Sequence, residues 1–254
     1  MSDRALWKRM HASMWLAFKA VPAASSGRSI ELDGVLACVT PAVPERSLPN
    51  SVLYESEDAL EAALPTLAAA YEEAGIEAWT VWVPEHDERA RTLLAEAGHK
   101  LDATPTAMIA DLDDVEPPRP EDPAPDAEPS LRDLGVINDR AYDTGDSFQR
   151  ILGDGPADPR HNYIARRRGE AVASVVSQDH RGDCSIWWVA TVPEARGSGL
   201  AAGLMRRALA DGRARGNEVT TLQATKLGRP VYERLGYRGF GTIEMWERRR
   251  ATSA

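Results

Sequence analysis

The sequence predicts an α+β protein folded as two similar lobes, and three observations carry that prediction. The chain has 254 residues, which at about 150 residues per domain is roughly 1.7 domains, one large or two small. A proline-rich, acidic segment unable to form a core divides it near the middle. On both sides of that segment the same order of helix and strand signals recurs.

The dividing segment, residues 113–130, holds six prolines and seven acids, with Val115 its one large apolar side chain. Proline fixes φ and removes donors while the acids repel one another, so the segment reads as an extended connector that does not pack. In the polyproline II form it reaches up to ~56 Å. The expected domains are therefore residues 1–112 and 131–254, joined by 113–130.

Taken in order, the elements begin with a helix. Trp7, Met10, Met14 and Phe18 recur at spacings of three and four, as on one face of an amphipathic helix. Arg4, Lys8 and Arg9 before an apolar stretch loosely mimic a secretory signal, but Lys19 interrupts it. Residues 58–74 read as a helix ended by Gly75, residues 78–83 as an alternating strand, and residues 86–97 as a helix before Gly98, with a strand around Met108. In the second half Gly216 ends a helix, residues 219–222 form a strand, a helix stops before Gly236-Tyr237, and a strand surrounds Met245. Glycine to glycine is 23 residues in one half and 20 in the other, and glycine to methionine 10 and 9. Matching order and near-matching spacing suggest one fold used twice.

Composition narrows the function. A hydrophobic fraction of 43% excludes wholesale disorder. A net charge of −9 argues against nucleic acid as a partner, and Arg248-Arg249-Arg250 reads as a solvated tail too short to reverse it. Two cysteines, Cys38 and Cys184, can build neither a disulfide framework nor a zinc site, which points to a reducing, cytoplasmic compartment. No apolar run approaches the length of a membrane span.

The stretch that carries chemistry is 184–237. Residues 186–192 are rich in strand formers and stop at Pro193. Then comes Arg196-Gly197-Ser198-Gly199-Leu200-Ala201, opening a helix. Its apolar face carries Leu200, Ala201, Leu204, Met205, Ala208 and Leu209, with Arg206, Arg207, Asp211 and Arg213 expected to turn outward. A glycine loop between a strand and a helix N-terminus offers close backbone N–H groups and partial positive charge, a setting suited to a pyrophosphate. No Gly-Lys-Ser/Thr follows, so this is not a Walker loop. Ala202 stands where a dinucleotide fingerprint needs its third glycine, with Gly203 one position late.

The pattern resembles the GNAT superfamily of acyl-CoA-dependent N-acyltransferases, whose phosphate signature Arg/Gln-x-x-Gly-x-Gly/Ala is complete at Arg196 to Ala201. Residues 231–237, ending Leu235-Gly236-Tyr237, resemble the superfamily's closing helix and turn. The resemblance implies two GNAT-like lobes, each a mixed, largely antiparallel sheet flanked by helices. The first would be a degenerate copy, since Tyr54-Glu55-Ser56-Glu57-Asp58-Ala59 stands in place of its loop. It further implies N-acetyl transfer from acetyl-CoA with no metal. Val189, Ala190 and Thr191 would pair with the pantetheine arm; Arg196, Gly197, Ser198, Gly199, Leu200 and Ala201 would hold the pyrophosphate; and Tyr232 would be the general acid. Tyr237 reads as core.

The acceptor amine also needs a base. Asp183, Glu170 and Glu244 border predicted strands, and His161 and His180 are unplaced; none is assigned, and water is an alternative. Trp187 and Trp188 alternate along their strand, so at most one should face a cleft. Core packing accounts for the tryptophans, with an aromatic wall for an apolar or cationic acceptor as the other reading. The expected partners are a small-molecule or protein amine, with no nucleic acid and no membrane, in a pseudo-dimeric monomer or a homodimer. A non-catalytic acyl-CoA-binding regulatory module and an interaction scaffold are the alternative functions.

Overall fold

The computed structural model describes residues 3–25, 27–153 and 160–250. Helix α1 (Asp3–Ala24) precedes strands β1 (Arg28–Leu32), β2 (Val35–Val39) and β3 (Ser51–Tyr54), helix α2 (Glu57–Glu73), strand β4 (Ala78–Pro84), helix α3 (Glu88–Glu96) and strands β5 (Lys100–Ala103) and β6 (Thr106–Asp111). After residues 112–130 the order recurs. Helices α4 (Leu131–Tyr142) and α5 (Ser147–Leu152) lead to strands β7 (His161–Arg167), β8 (Glu170–His180) and β9 (Asp183–Thr191). Helix α6 (Leu200–Ala214), strand β10 (Val219–Ala224), helix α7 (Arg229–Arg234) and strand β11 (Arg238–Arg249) complete it. The protein is a mixed α+β fold with sheet flanked by helices.

Side-chain caps start three of the helices. Ser56 accepts a hydrogen bond from Ala59 N at 3.2 Å to cap α2, Asp87 one from Ala90 N at 2.9 Å for α3, and Ser130 one from Asp133 N at 3.0 Å for α4. Each satisfies an N–H that the first helical turn leaves unpaired.

The residues group into two compact units, 15–105 with 241–254, and 1–14 with 106–240. In the first, the strands run β1-β2-β3-β4 and then β11, with β5 also against β11. The pairings in that order are antiparallel, antiparallel, parallel and antiparallel. Leu60, Leu67 and Leu94 from α2 and α3 bury against Val81 and Val83. Tyr71 stacks on Trp79 with ring centroids 4.7 Å apart, and Phe18 meets Trp82 at 5.6 Å.

In the second unit the strands run β7-β8-β9-β10-β6, and the pairings are again antiparallel, antiparallel, parallel and antiparallel. Leu204, Met205, Ala208 and Leu209 of α6 pack with Val175, Ile186 and Leu222. Val176, next along β8, joins Leu134, Ile137 and Leu152 of α4 and α5, because successive strand residues face opposite sides.

Four expectations need correction. The compact units do not divide at residues 112 and 131. Strand β6 pairs with β10 along six residues, from Thr106 opposite Ala224 to Asp111 opposite Val219, while β11 from Ile243 onward pairs with β4. Nor is 113–130 a free spacer. Asp122 forms a buried ion pair with Arg206, while Asp126 pairs with the partly exposed Arg166 at 2.7 Å and Asp113 with the exposed Arg213 at 2.7 Å. Asp126 N also donates to the Ile164 carbonyl at 2.7 Å. Arginines neutralise the acids whose repulsion was expected to keep the segment apart. For the same reason Arg206 does not turn outward; it is 8% exposed. Finally, Arg248 and Arg249 lie within β11 opposite Trp79 and Ala78 rather than in a tail.

Asp183 opens β9 at zero exposure. Its Oδ2 accepts hydrogen bonds from Ser13 at 2.6 Å and Thr221 at 2.7 Å, and its Oδ1 has no hydrogen-bond partner. Burial pushes the carboxyl from an ordinary 3.8 up to about 6, against those two hydroxyls and Arg9. A raised folded-state pKa means stability that is complete below the unfolded value and lost as pH rises through the folded one. Asp183→Asn is therefore expected to melt close to wild type near pH 4 and to be the more stable protein at pH 8, by up to about 3 kcal/mol. Thermal melts at both pH values check this; a constant difference between the proteins would refute it.

Candidate active site

The turn from β9 into α6 is built around two left-handed glycines. Gly197 has φ 73° and Gly199 φ 77°, a region that costs a side-chain-bearing residue about 1 kcal/mol or more. A Cβ at either would meet nothing within 4 Å, so both face open space. Gly199 caps α6 without any side-chain bond, leaving first-turn N–H groups available. Ser198 Oγ donates to the Ala195 carbonyl at 2.5 Å. Arg196 donates to the carbonyls of Thr191 at 3.3 Å and Ala141 at 2.7 Å, which holds its guanidinium beside the loop. The loop forms one wall of a cavity of about 550 Å³, bordered by Thr191, Arg196 through Ala201, Val231 and Arg234.

A second cavity, of about 270 Å³, shares Thr191, Arg196, Ala201 and Val231 with the first. It opens where β9 and β10 part: their parallel ladder is the single pair Val219 opposite Asp183. Farther along, β9 bulges, because three steps from Trp187 to Ala190 match two from Val176 to Ser174 on β8. A bulge bends its strand and re-aims its side chains. Trp188 takes the strain, with φ 46°. It is held by the edge of Phe148 at 6.0 Å, by Arg160 4.2 Å over its ring, and by Ser174 Oγ donating to its carbonyl at 3.1 Å. The expectation that only one tryptophan could face a cleft fails here: both Trp187 and Trp188 border the cavity, because the bulge breaks the strand's alternation.

Val189, Ala190, Thr191 and Tyr232 border this smaller cavity, and Arg196 through Ala201 reach one cavity or both. Folding thus gathers every residue singled out for this region. Tyr232 is 9% exposed, and burial followed by the neighbouring Tyr142 pushes its hydroxyl well above the usual tyrosine range, so it stays protonated. Tyr237 lies in the core, its ring against Tyr232 with centroids 5.9 Å apart and its hydroxyl 2.7 Å from Thr220 Oγ1.

The candidate bases lie elsewhere. Asp183 is at the other end of β9, roughly 25 Å along the strand from Thr191 at about 3.3 Å per residue. Glu244 pairs with Arg91 at 3.1 Å within the unit of residues 15–105 and 241–254. Glu170 is exposed, His161 lies 3.6 Å from the Asp179 carboxylate, and neither His161 nor His180 borders either cavity. Among the described residues lining the smaller cavity there is no carboxylate or histidine.

Sequence reasoning missed two contributors. Tyr142, at the end of α4, borders the smaller cavity and donates to the Val189 carbonyl at 2.7 Å. Glu116 and Arg119, in the segment read as a spacer, border the larger one. No local signal marks either, since both arrive from distant parts of the chain.

The splayed strand pair, the bulge beside it and the glycine loop opening α6 all fall within residues 158–239, which match the family model for the acetyltransferase (GNAT) domain. The chain thus carries a GNAT acetyltransferase domain, an enzyme domain. Among solved structures, a GCN5-related N-acetyltransferase from Kribbella flavida shares the fold with a TM-score of 0.66 and 16% identity, over 94% of this chain and 96% of that one. A GCN5-related N-acetyltransferase from Sphaerobacter thermophilus does so with a TM-score of 0.58 and 18% identity, over 87% and 79%. A tandem GNAT protein from the clavulanic acid biosynthesis pathway gives 0.54 and 13%, again over 87% and 79%. No curated protein matches the chain in sequence.

Gly203 is the near-miss glycine of the fingerprint, and its hydrogen serves packing. A Cβ there would sit 2.5 Å from Pro123 Cδ and 2.9 Å from Asp122 Oδ1. Overpacking costs about 1–3 kcal/mol, against a gain in helix propensity of up to ~1 kcal/mol. Gly203→Ala is expected to lose roughly 1–2 kcal/mol, read as an earlier urea midpoint; a later midpoint would show that residues 122–123 yield freely.

Proposed function

We propose that the GNAT domain transfers an acetyl group from acetyl-CoA directly to an amine. The observation that carries this reading is the continuity of the two cavities around the start of α6, one at the glycine loop and the other at Tyr232. The open N–H groups of Gly197 to Ala201 suit the pyrophosphate. The edge of β9 at Val189, Ala190 and Thr191, turned from β10, suits the amide-bearing pantetheine arm, and a backbone N–H there polarises the thioester carbonyl.

In the reaction, the neutral amine attacks the carbonyl carbon, forming the C–N bond. The C–S bond then breaks, and the sulfur leaves as thiolate. Tyr232, held protonated by burial, donates its proton to that sulfur and is reprotonated from solvent. The proton released by the amine leaves through water, since the described lining of the smaller cavity offers no side-chain base.

The same proposal reads the sequence segments 1–112 and 131–254 as tandem GNAT-like repeats, although each compact unit takes one strand from the other segment, β11 in one and β6 in the other. Supporting it are the recurring element order and the identical sequence of strand senses in the two units. The first lobe is the degenerate copy: its α2 is already capped by Ser56 and fronted by Glu57 and Asp58, which would repel a pyrophosphate. The acceptor is a small-molecule or protein amine rather than nucleic acid or a membrane. The assembly is a pseudo-dimeric monomer or a homodimer in a reducing, cytoplasmic setting. Cys38 and Cys184 suit that setting, being free and buried, with burial pushing both thiols up to about 12.

Two variants test the site. Gly199→Asp places a Cβ and a negative charge where the pyrophosphate would lie, and calorimetry is expected to show acetyl-CoA binding lost in a folded protein. Unchanged affinity would remove the loop from the site. Tyr232→Phe removes a proton donor but little volume. Release of free CoA thiol with a panel of amines is expected to fall about ten- to a thousandfold in kcat, with affinity for acetyl-CoA near wild type. Wild-type turnover would make this tyrosine structural.

A further inference from the structure

We propose that the proline-rich segment is itself part of the acyl-CoA site, with Arg119 exchanging its partner Glu116 for a phosphate of the CoA nucleotide. The inference rests on the acetyl-CoA reading above and adds a binding residue from outside the glycine signature.

The segment lies along α6 as a strap. Asp113 is tied to Arg213 and Asp122 to Arg206, and the arc between these anchors carries Glu116 and Arg119 to the wall of the larger cavity. The arc is a built turn. Arg119 N donates to Asp122 Oδ2 at 2.8 Å, and Asp122 N donates to the Arg119 carbonyl at 3.1 Å. The carboxylate that locks Arg206 therefore also sets the backbone of Arg119. Gly203 lets the strap come this close, as its missing Cβ is the space Pro123 occupies.

The cations around the cavity differ in what they can give. Arg206 is buried and spent on Asp122. Arg196 is engaged by two backbone carbonyls. Arg234 reaches the wall from α7 and is exposed. Arg119, in the strap itself, is paired with Glu116 at about half exposure for both side chains, and an ion pair so exposed contributes little. A phosphate competes easily for that guanidinium, whose planar fork matches its oxygens. CoA carries a pyrophosphate and a ribose 3′-phosphate, more charge than one helix N-terminus neutralises. Glu116, a carboxylate on the same wall, would turn away as the phosphate arrives.

The test titrates acetyl-CoA and 3′-dephospho-acetyl-CoA into wild type, Arg119→Ala, Arg119→Lys and Glu116→Gln by calorimetry, with melting temperatures of the free proteins alongside. Arg119→Ala is expected to weaken acetyl-CoA binding roughly three- to tenfold, Arg119→Lys less, and Glu116→Gln to tighten it about twofold, all at unchanged melting temperature. Loss confined to acetyl-CoA assigns the 3′-phosphate to Arg119, and equal loss with both ligands assigns the pyrophosphate; either supports the proposal. Arg119→Ala binding both ligands as wild type does would overturn this inference alone. A wild-type protein binding neither ligand would overturn the acyl-CoA reading and this one with it.

Discussion

The site depends on the parting of β9 from β10. Two parallel strands joined through a helix would ordinarily pair along their length and bury their edges. Here the closed end is clamped by buried polar groups. Asp183 takes hydrogen bonds from Thr221 and Ser13, and Thr220 Oγ1 lies 2.7 Å from both the Cys184 carbonyl and the Tyr237 hydroxyl. Beyond that clamp the ladder stops and β9 bulges at Trp188. The gap leaves strand edge for a ligand, directs the end of β9 into the glycine loop, and faces it with Tyr232 from the helix that follows β10.

Strain and packing cooperate at the bulge. A tryptophan in the left-handed region costs on the order of 1–3 kcal/mol and persists only where its surroundings over-determine it. Phe148, Arg160 and Ser174 supply that determination from α5, the residue before β7, and β8. Tyr142 adds a bond to the next carbonyl, at Val189. The aromatic side of the cleft is thus the structure that keeps the strand bent, and substitutions there would also alter the shape of β9.

Charge follows a similar logic. A chain of net charge −9 is ill suited to an anionic ligand, yet arginines gather on and around α6. The strap's acids pair with them at Arg206, Arg213 and Arg166, which removes repulsion and fastens an otherwise coreless segment to the domain. The Glu116–Arg119 and Asp113–Arg213 pairs are the exposed ones among these.

Much of this was legible from residues alone. The helix ends at Gly75, Gly98, Gly216 and Gly236, the stop of β9 before Pro193 and the start of α6 at its glycine loop depend on φ preferences and hydrogen bonds within a few residues. The composition of a short stretch determines them. Tertiary structure decided the rest. Asp183 was legible as a strand-border carboxylate, but only the fold put it at the closed end. Arg206 looked solvent-facing by helical periodicity until Asp122, 84 residues earlier, came to cover it. Arg248 and Arg249 looked like a tail until β4 paired with them, and Trp187 and Trp188 obeyed strand alternation until β8 imposed a bulge. Each of these outcomes needs a partner far along the chain, and local preference cannot encode which distant backbone will supply the missing hydrogen bond or countercharge.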